Sequence, residues 1–145
     1  MFTSMPRSKL IVGDADAAER FYTTLGMKVV RRLPDTGSIG PKDGTGRSLV
    51  RQKQSWISET GDETTPVLIL SQFLDFEPAP TPSFPGEAWL WFRVSDVDET
   101  ARLAVANGGS VVVPANNAEG FPVRAACITD HEGHHIEIVG PVKAA

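Results

Sequence analysis

One interval constrains this chain more than any other feature. Val12-Gly13-Asp14 returns as Val94-Ser95-Asp96, and Leu25-Gly26 returns as Asn107-Gly108. The interval from Val12 to Val94 equals that from Gly26 to Gly108. A constant offset at two punctuation points marks an internal duplication. The 145 residues must therefore form two small modules of one kind.

Each module reads the same way. Ser8 to Val12 is a short β-like run, Gly13 turns the chain, and Asp14 or Asp16 can accept from the first-turn N–H groups of a helix. Ala17, Ala18, Phe21, Tyr22 and Leu25 follow at helical spacing, so Phe21 and Tyr22 read as core. Gly26 ends the helix and Met27 to Arg32 reads as a strand. In the second half Trp89 to Val94 is the strand, Ser95 or Asp96 the cap, and Val97, Ala101, Leu103, Ala104 and Val105 the helical set. Asn107 to Gly109 closes that helix before the strand Ser110 to Pro114. Further strands are predicted at Arg47–Gln52 and Pro66–Phe73, and at Val123–Asp130 and His134–Gly140. The order is βαβββ, twice. The division expected is a first module over 1–76, a proline-rich linker over 77–87 and a second module over 88–145. Leu33 to Gly46 reads as a glycine-rich connection, lacking the strand–loop–helix context of a phosphate-binding loop.

Charge narrows the partners. The net charge is -4 with pI near 5.3 and no basic stripe, which argues against nucleic acid and anionic membranes. No apolar run is long enough to span a bilayer. The first residues lack the apolar core of a signal peptide, and the single cysteine, Cys127, fits a reducing cytoplasm. Cys127 lies between Ala126 and Ile128 and reads as a small buried hydrophobe.

The duplicated βαβββ pattern, Val12-Gly13-Asp14 with Phe21-Tyr22 and Leu25-Gly26-Met27, and the closing Asp130-x-x-Gly133-x-x-Ile136-Glu137-Ile138 together resemble the vicinal oxygen chelate superfamily. That group holds glyoxalase I, extradiol dioxygenases and the bleomycin and fosfomycin resistance proteins. The resemblance runs from about Met5 to Pro141 and implies an α+β fold of two βαβββ modules forming curved sheets around a cavity. It also implies a homodimer. In metal-using members the first and last strands of each module supply the ligands. The positions that match here are Arg7, Leu70, Trp89 and Glu137, and only Glu137 can ligate a metal.

Period-two alternation orders the strands around that cavity. Ile136 and Ile138 oppose His135 and Glu137; Leu90, Phe92 and Val94 oppose Trp89, Trp91 and Arg93. Arg7, Lys9 and Ile11 are expected inside, and on the fourth strand Leu68, Leu70 and Gln72. Glu137 then needs a partner, and Arg7 is the expected one. His131 and His134 fall on the turn around Gly133 and read as solvated.

Three functions follow from the resemblance. The first is a binding protein with no metal and no cofactor. It takes an aromatic or anionic small molecule on Arg7, Lys9, Leu70, Gln72, Trp89, Trp91 and Arg93. The second is a metal-free lyase or isomerase with Glu137 as general base and His135 or Arg7 assisting. The third is a metal-dependent glyoxalase-like lyase or dioxygenase.

Overall fold

A computed structural model describes residues 7–37, 51–75, 88–119 and 122–144. The chain divides into two compact units, Met1–Ala79 and Pro80–Ala145. The linker expected over 77–87 lies outside the described residues, as do 38–46 of the glycine-rich connection and 47–50 of the third predicted strand.

The first unit contains β1 (Ser8–Ile11), α1 (Ala15–Thr24), β2 (Lys28–Gly37), β3 (Arg51–Ser58) and β4 (Leu68–Phe73). Its sheet has the order β1-β4-β3-β2, with β1 parallel to β4 and the other pairs antiparallel. The second unit repeats this with β5 (Leu90–Arg93), α2 (Val97–Ala106), β6 (Ser110–Asn117), β7 (Arg124–Thr129) and β8 (His135–Gly140), ordered β5-β8-β7-β6. The fold is thus α+β, two βαβββ modules. Among the described residues no helix is long and apolar enough to cross a membrane.

Both helices start and stop as their residues dictate. Asp14 accepts from the N–H groups of Asp16 and Ala17, and Asp96 from that of Glu99. These cap bonds hold both carboxyls below the usual range. At the far ends Gly26 and Gly108 take φ of 110° and 94°, the left-handed region open to glycine. The buried face of α1 is Ala15, Ala18, Phe21 and Tyr22; that of α2 is Val97, Ala101 and Ala104, while Val105 is exposed. Burying a large side chain such as Phe21 contributes roughly 1.5–3 kcal/mol.

Three strands run past the expectation: β6 reaches Asn117 instead of ending at Pro114, and β2 and β3 also lengthen. β2 runs on to Gly37, taking in the start of the glycine-rich stretch. Its pairing with β3 shifts register between Leu33 and Thr36, and this irregularity on an edge strand accommodates Pro34. β3 extends to Ser58, well past Gln52. Gln52, Gln54 and Trp56 alternate there with Lys53, Ser55 and Ile57, so both faces carry polar groups and the hydrophobic period is masked.

Candidate functional site

Cross-strand partners share a face, so the register sorts each sheet into a helix side and a helix-free side. In the second unit Leu90 pairs with Ile136 and Phe92 with Ile138, and Arg124 of β7 reaches Asp98 of α2. That is the helix side. Trp91 pairs with Glu137, and Glu137 with Cys127, which sets Trp89, Trp91, Arg93, His135 and Glu137 on the helix-free side. Trp89 stacks on His135 with centroids 4.8 Å apart and planes 10° apart. Trp91 is 54% exposed and Trp89 39%. Glu137 is half-buried and Cys127 buried. Arg93 is exposed, and no ion pair of Arg93 falls among the described residues.

In the first unit Leu10 pairs with Leu70 and Lys9 with Ile69. The side chain of Gln72 accepts from the N–H of Ala15 at the start of α1 (3.0 Å). Leu68, Leu70 and Gln72 therefore lie under the helix. This corrects the expected phase of the fourth strand: the helix-free side carries Ile69, Ser71 and Phe73. A run buried on both faces, Leu68 to Ser71, gives alternation nothing to read, and only the pairing with β1 fixes it.

The helix-free side of this first sheet carries a polar network. Gln52 Oε1 accepts from the Ser71 hydroxyl, from Gln54 Nε2 (3.2 Å) and, at 3.5 Å, from Lys9 Nζ. Trp56 Nε1 donates to Gln54 Oε1 (2.9 Å). Arg7 places its guanidinium carbon 5.0 Å from the Trp56 ring centroid and Nη2 3.1 Å from Glu63 Oε2. Arg7 thus meets a carboxylate of its own module where Glu137 was expected. Glu63 sits on the β3–β4 connection, so the charge comes from a loop of the same module, brought to Arg7 by the pairing of β1 with β4.

His134 is a further correction. Its side chain is 13% exposed, with Nδ1 2.7 Å from the buried Asp130 carboxylate. Asp130 also accepts from the N–H groups of Glu132 and His134, so it organises the hairpin turn and draws His134 out of solvent. Gln52, Gln54, Trp56, Arg31 and Glu63 were not foreseen. No local period could have marked them, because Gln52, Lys53, Gln54 and Ser55 put polar groups on both faces of β3.

A pair of four-stranded sheets, each backed by one helix and repeating one topology, defines a class of duplicated βαβββ proteins. Residues 4–138 match the Glyoxalase/Bleomycin resistance protein/Dioxygenase superfamily, and the chain belongs to that family. A comparison with curated proteins finds no match. A glyoxalase family protein from Bacillus cereus is similar in fold, with 19% identity, TM-score 0.78, and 99% of this chain and 97% of that one covered. Trypanothione-dependent glyoxalase I from Leishmania major shows 22% identity and TM-score 0.67 over 96% and 87%. A fosfomycin resistance protein from Listeria monocytogenes shows 14% and 0.62 over 98% and 96%. At these identities the likeness is one of fold.

The residues at the family's metal positions do not fit a divalent ion. Arg7 is engaged by Glu63. The register equivalent of Glu137 in the first unit is Ile69, since Lys9 pairs with Ile69 as Trp91 does with Glu137. Ile69 and Trp89 offer no lone pair. Among the described residues no three His, Cys, Asp or Glu side chains are grouped so that they could hold a metal ion.

Proposed function

We propose that this protein binds a planar, anionic small molecule against the helix-free face of its second sheet and does so without a resident metal. The observation that carries the reading is the exposure of Trp91 beside Trp89 on one face of β5, with Arg93 next along the strand. Indoles bury 150–250 Å² when covered, so Trp91, more than half exposed, and the part of Trp89 that His135 leaves uncovered offer apolar surface to a ligand. A conjugated ring stacks on them, and the Arg93 guanidinium favours its carboxylate or phenolate. Glu137, across from Trp91, accepts a ligand N–H or O–H. The reading includes a cytoplasmic homodimer.

Calorimetric titration with 1-naphthoate and with neutral 1-naphthalenemethanol tests it. Naphthoate is expected to bind more tightly. Trp91→Ala should weaken it about tenfold, or roughly 1.4 kcal/mol, and Arg93→Met should erase the preference for the anion. Unchanged affinity in both Trp89→Ala and Trp91→Ala overturns the reading. If Trp91→Ala instead halves the mass seen by light scattering, the indoles belong to a contact between copies. Conversion of a ligand that Glu137→Gln abolishes would replace binding by catalysis.

A further inference from the structure

The first unit holds a charged cluster that this reading does not use. In the sheet order β1-β4-β3-β2 the strands β1 and β2 are opposite edges. Arg7 precedes β1, and Arg31 lies in β2 opposite Trp56 of β3. The two guanidinium carbons each lie 5.0 Å from the Trp56 ring centroid. Both arginines also reach one carboxylate: Arg7 Nη2 bonds Glu63 Oε2, and Arg31 Nη2 bonds Glu63 Oε1. Arginines from two sheet edges thus converge on a single indole, and a loop glutamate joins them with one oxygen each.

Two positive charges against one negative leave the cluster with a surplus cation. The side chains of Arg7, Arg31 and Glu63 are 46%, 50% and 32% exposed, so solutes reach them. Exposed ion pairs of this kind contribute little to stability, about 0–1 kcal/mol, which makes Glu63 cheap to displace. Guanidinium groups over an indole are preset for a planar anion, because they pair with a carboxylate at their edges and stack at their faces. Gln54 fixes the Trp56 ring through its N–H (2.9 Å).

The geometry points to an aryl-carboxylate site on Arg7, Arg31 and Trp56, in which Glu63 is an internal carboxylate that the ligand replaces. The ligand's two oxygens take the places of Oε1 and Oε2, and its ring lies along Trp56. Glu63 then swings to solvent; in the empty site it offsets one of the two arginine charges, so an anion must compete with it to bind. This goes beyond the function proposed above, which concerns β5 and β8, and stands independently of it.

The test uses the ¹⁵N-labelled full chain and follows the Trp56 indole N–H resonance, assigned with Trp56→Phe. Benzoate is the probe, with benzyl alcohol and sodium chloride as controls. Benzoate should shift the resonance saturably while both controls leave it in place. Glu63→Gln should tighten benzoate roughly five- to tenfold by removing the internal competitor. Arg31→Met, a change at an exposed side chain, should abolish saturation, and Trp91→Ala should leave it unchanged. Equal or weaker binding in Glu63→Gln, an equal shift with benzyl alcohol, or full saturation in Arg31→Met overturns the site. A benzoate shift lost in Trp91→Ala assigns binding to the second unit and overturns it as well.

Discussion

Glu19 turns from α1 toward the sheet and meets two groups there. Its carboxylate accepts from Arg32 Nε (2.9 Å) and Nη2 (2.7 Å) and from the Ser55 hydroxyl. The Arg32 hydrogen bond, more than any other contact, holds its carboxyl below the usual glutamate value of 4.5, and Ser55 adds to this against the opposing effect of burial. A depressed carboxyl pKa contributes stability above the unfolded value, and that stability is lost as pH falls through the folded one. Glu19→Gln should therefore cost about 1 kcal/mol at pH 7, the charged hydrogen bonds being discounted for the exposure of Arg32. The deficit should shrink as pH drops below 4.5, in urea titrations at neutral and acid pH. A deficit that is constant across pH would show that the charge is not what matters. At this scale the sequence narrowed each helix cap to two neighbours, Asp14 or Asp16 and Ser95 or Asp96. The bonds to first-turn N–H groups choose Asp14 and Asp96. Glu19 itself carried no signal, because its partners Arg32 and Ser55 come from other elements.

The two copies of one element solve the same packing problem differently. Gln72 of β4 and Gly140 of β8 follow equivalent residues, since the N–H of Val12 bonds Ser71 and that of Val94 bonds Val139. Gln72 reaches the first N–H of α1. Gly140 lets β8 approach the start of α2 so closely that a Cβ there would stand 2.7 Å from the Val94 carbonyl and 3.0 Å from Val97 Cγ2. Backbone cannot yield as a flexible side chain does. Gly140→Ala should cost roughly 1–3 kcal/mol, whereas Gly26→Ala, with nothing within 4 Å and only a φ of 110° to oppose it, should cost about 1 kcal/mol. Chemical denaturation of both variants measures the contrast, and equal losses would refute the clash. The helices, the caps and the faces of β5 and β8 were legible because one face of each is apolar. The phase of β4 was not, with both faces buried, and neither was the reach of β3, with polar groups on both sides. Trp56 was lost with β3, and with it the Arg7, Arg31 and Glu63 cluster, which no local period announces.

At the scale of the whole molecule the duplication delivers two sheets of one topology, while the side chains on their helix-free faces have diverged. The first face carries amides, Lys9 and an arginine-bracketed indole; the second carries Trp89, Trp91 and Arg93 beside His135 and Glu137. A divalent ion needs several lone-pair donors at about 2.0–2.6 Å, and tight binding needs charged or imidazole donors among them. The positions the family uses for this offer a guanidinium already bonded to Glu63, an isoleucine, an indole stacked on His135, and one carboxylate. One carboxylate leaves an ion mostly hydrated and exchanging with solvent. A ligand that binds only the folded state raises the unfolding midpoint by mass action, so a resident ion would reveal itself in stability. Thermal unfolding of the purified chain is expected to be unchanged by EDTA and by added zinc, nickel or manganese. Elemental analysis should find well under one equivalent per chain. A midpoint that falls on chelation and returns with one of these ions would mean that donors outside the described residues complete the set, and the metal-dependent lyase or dioxygenase reading would take the place of simple binding.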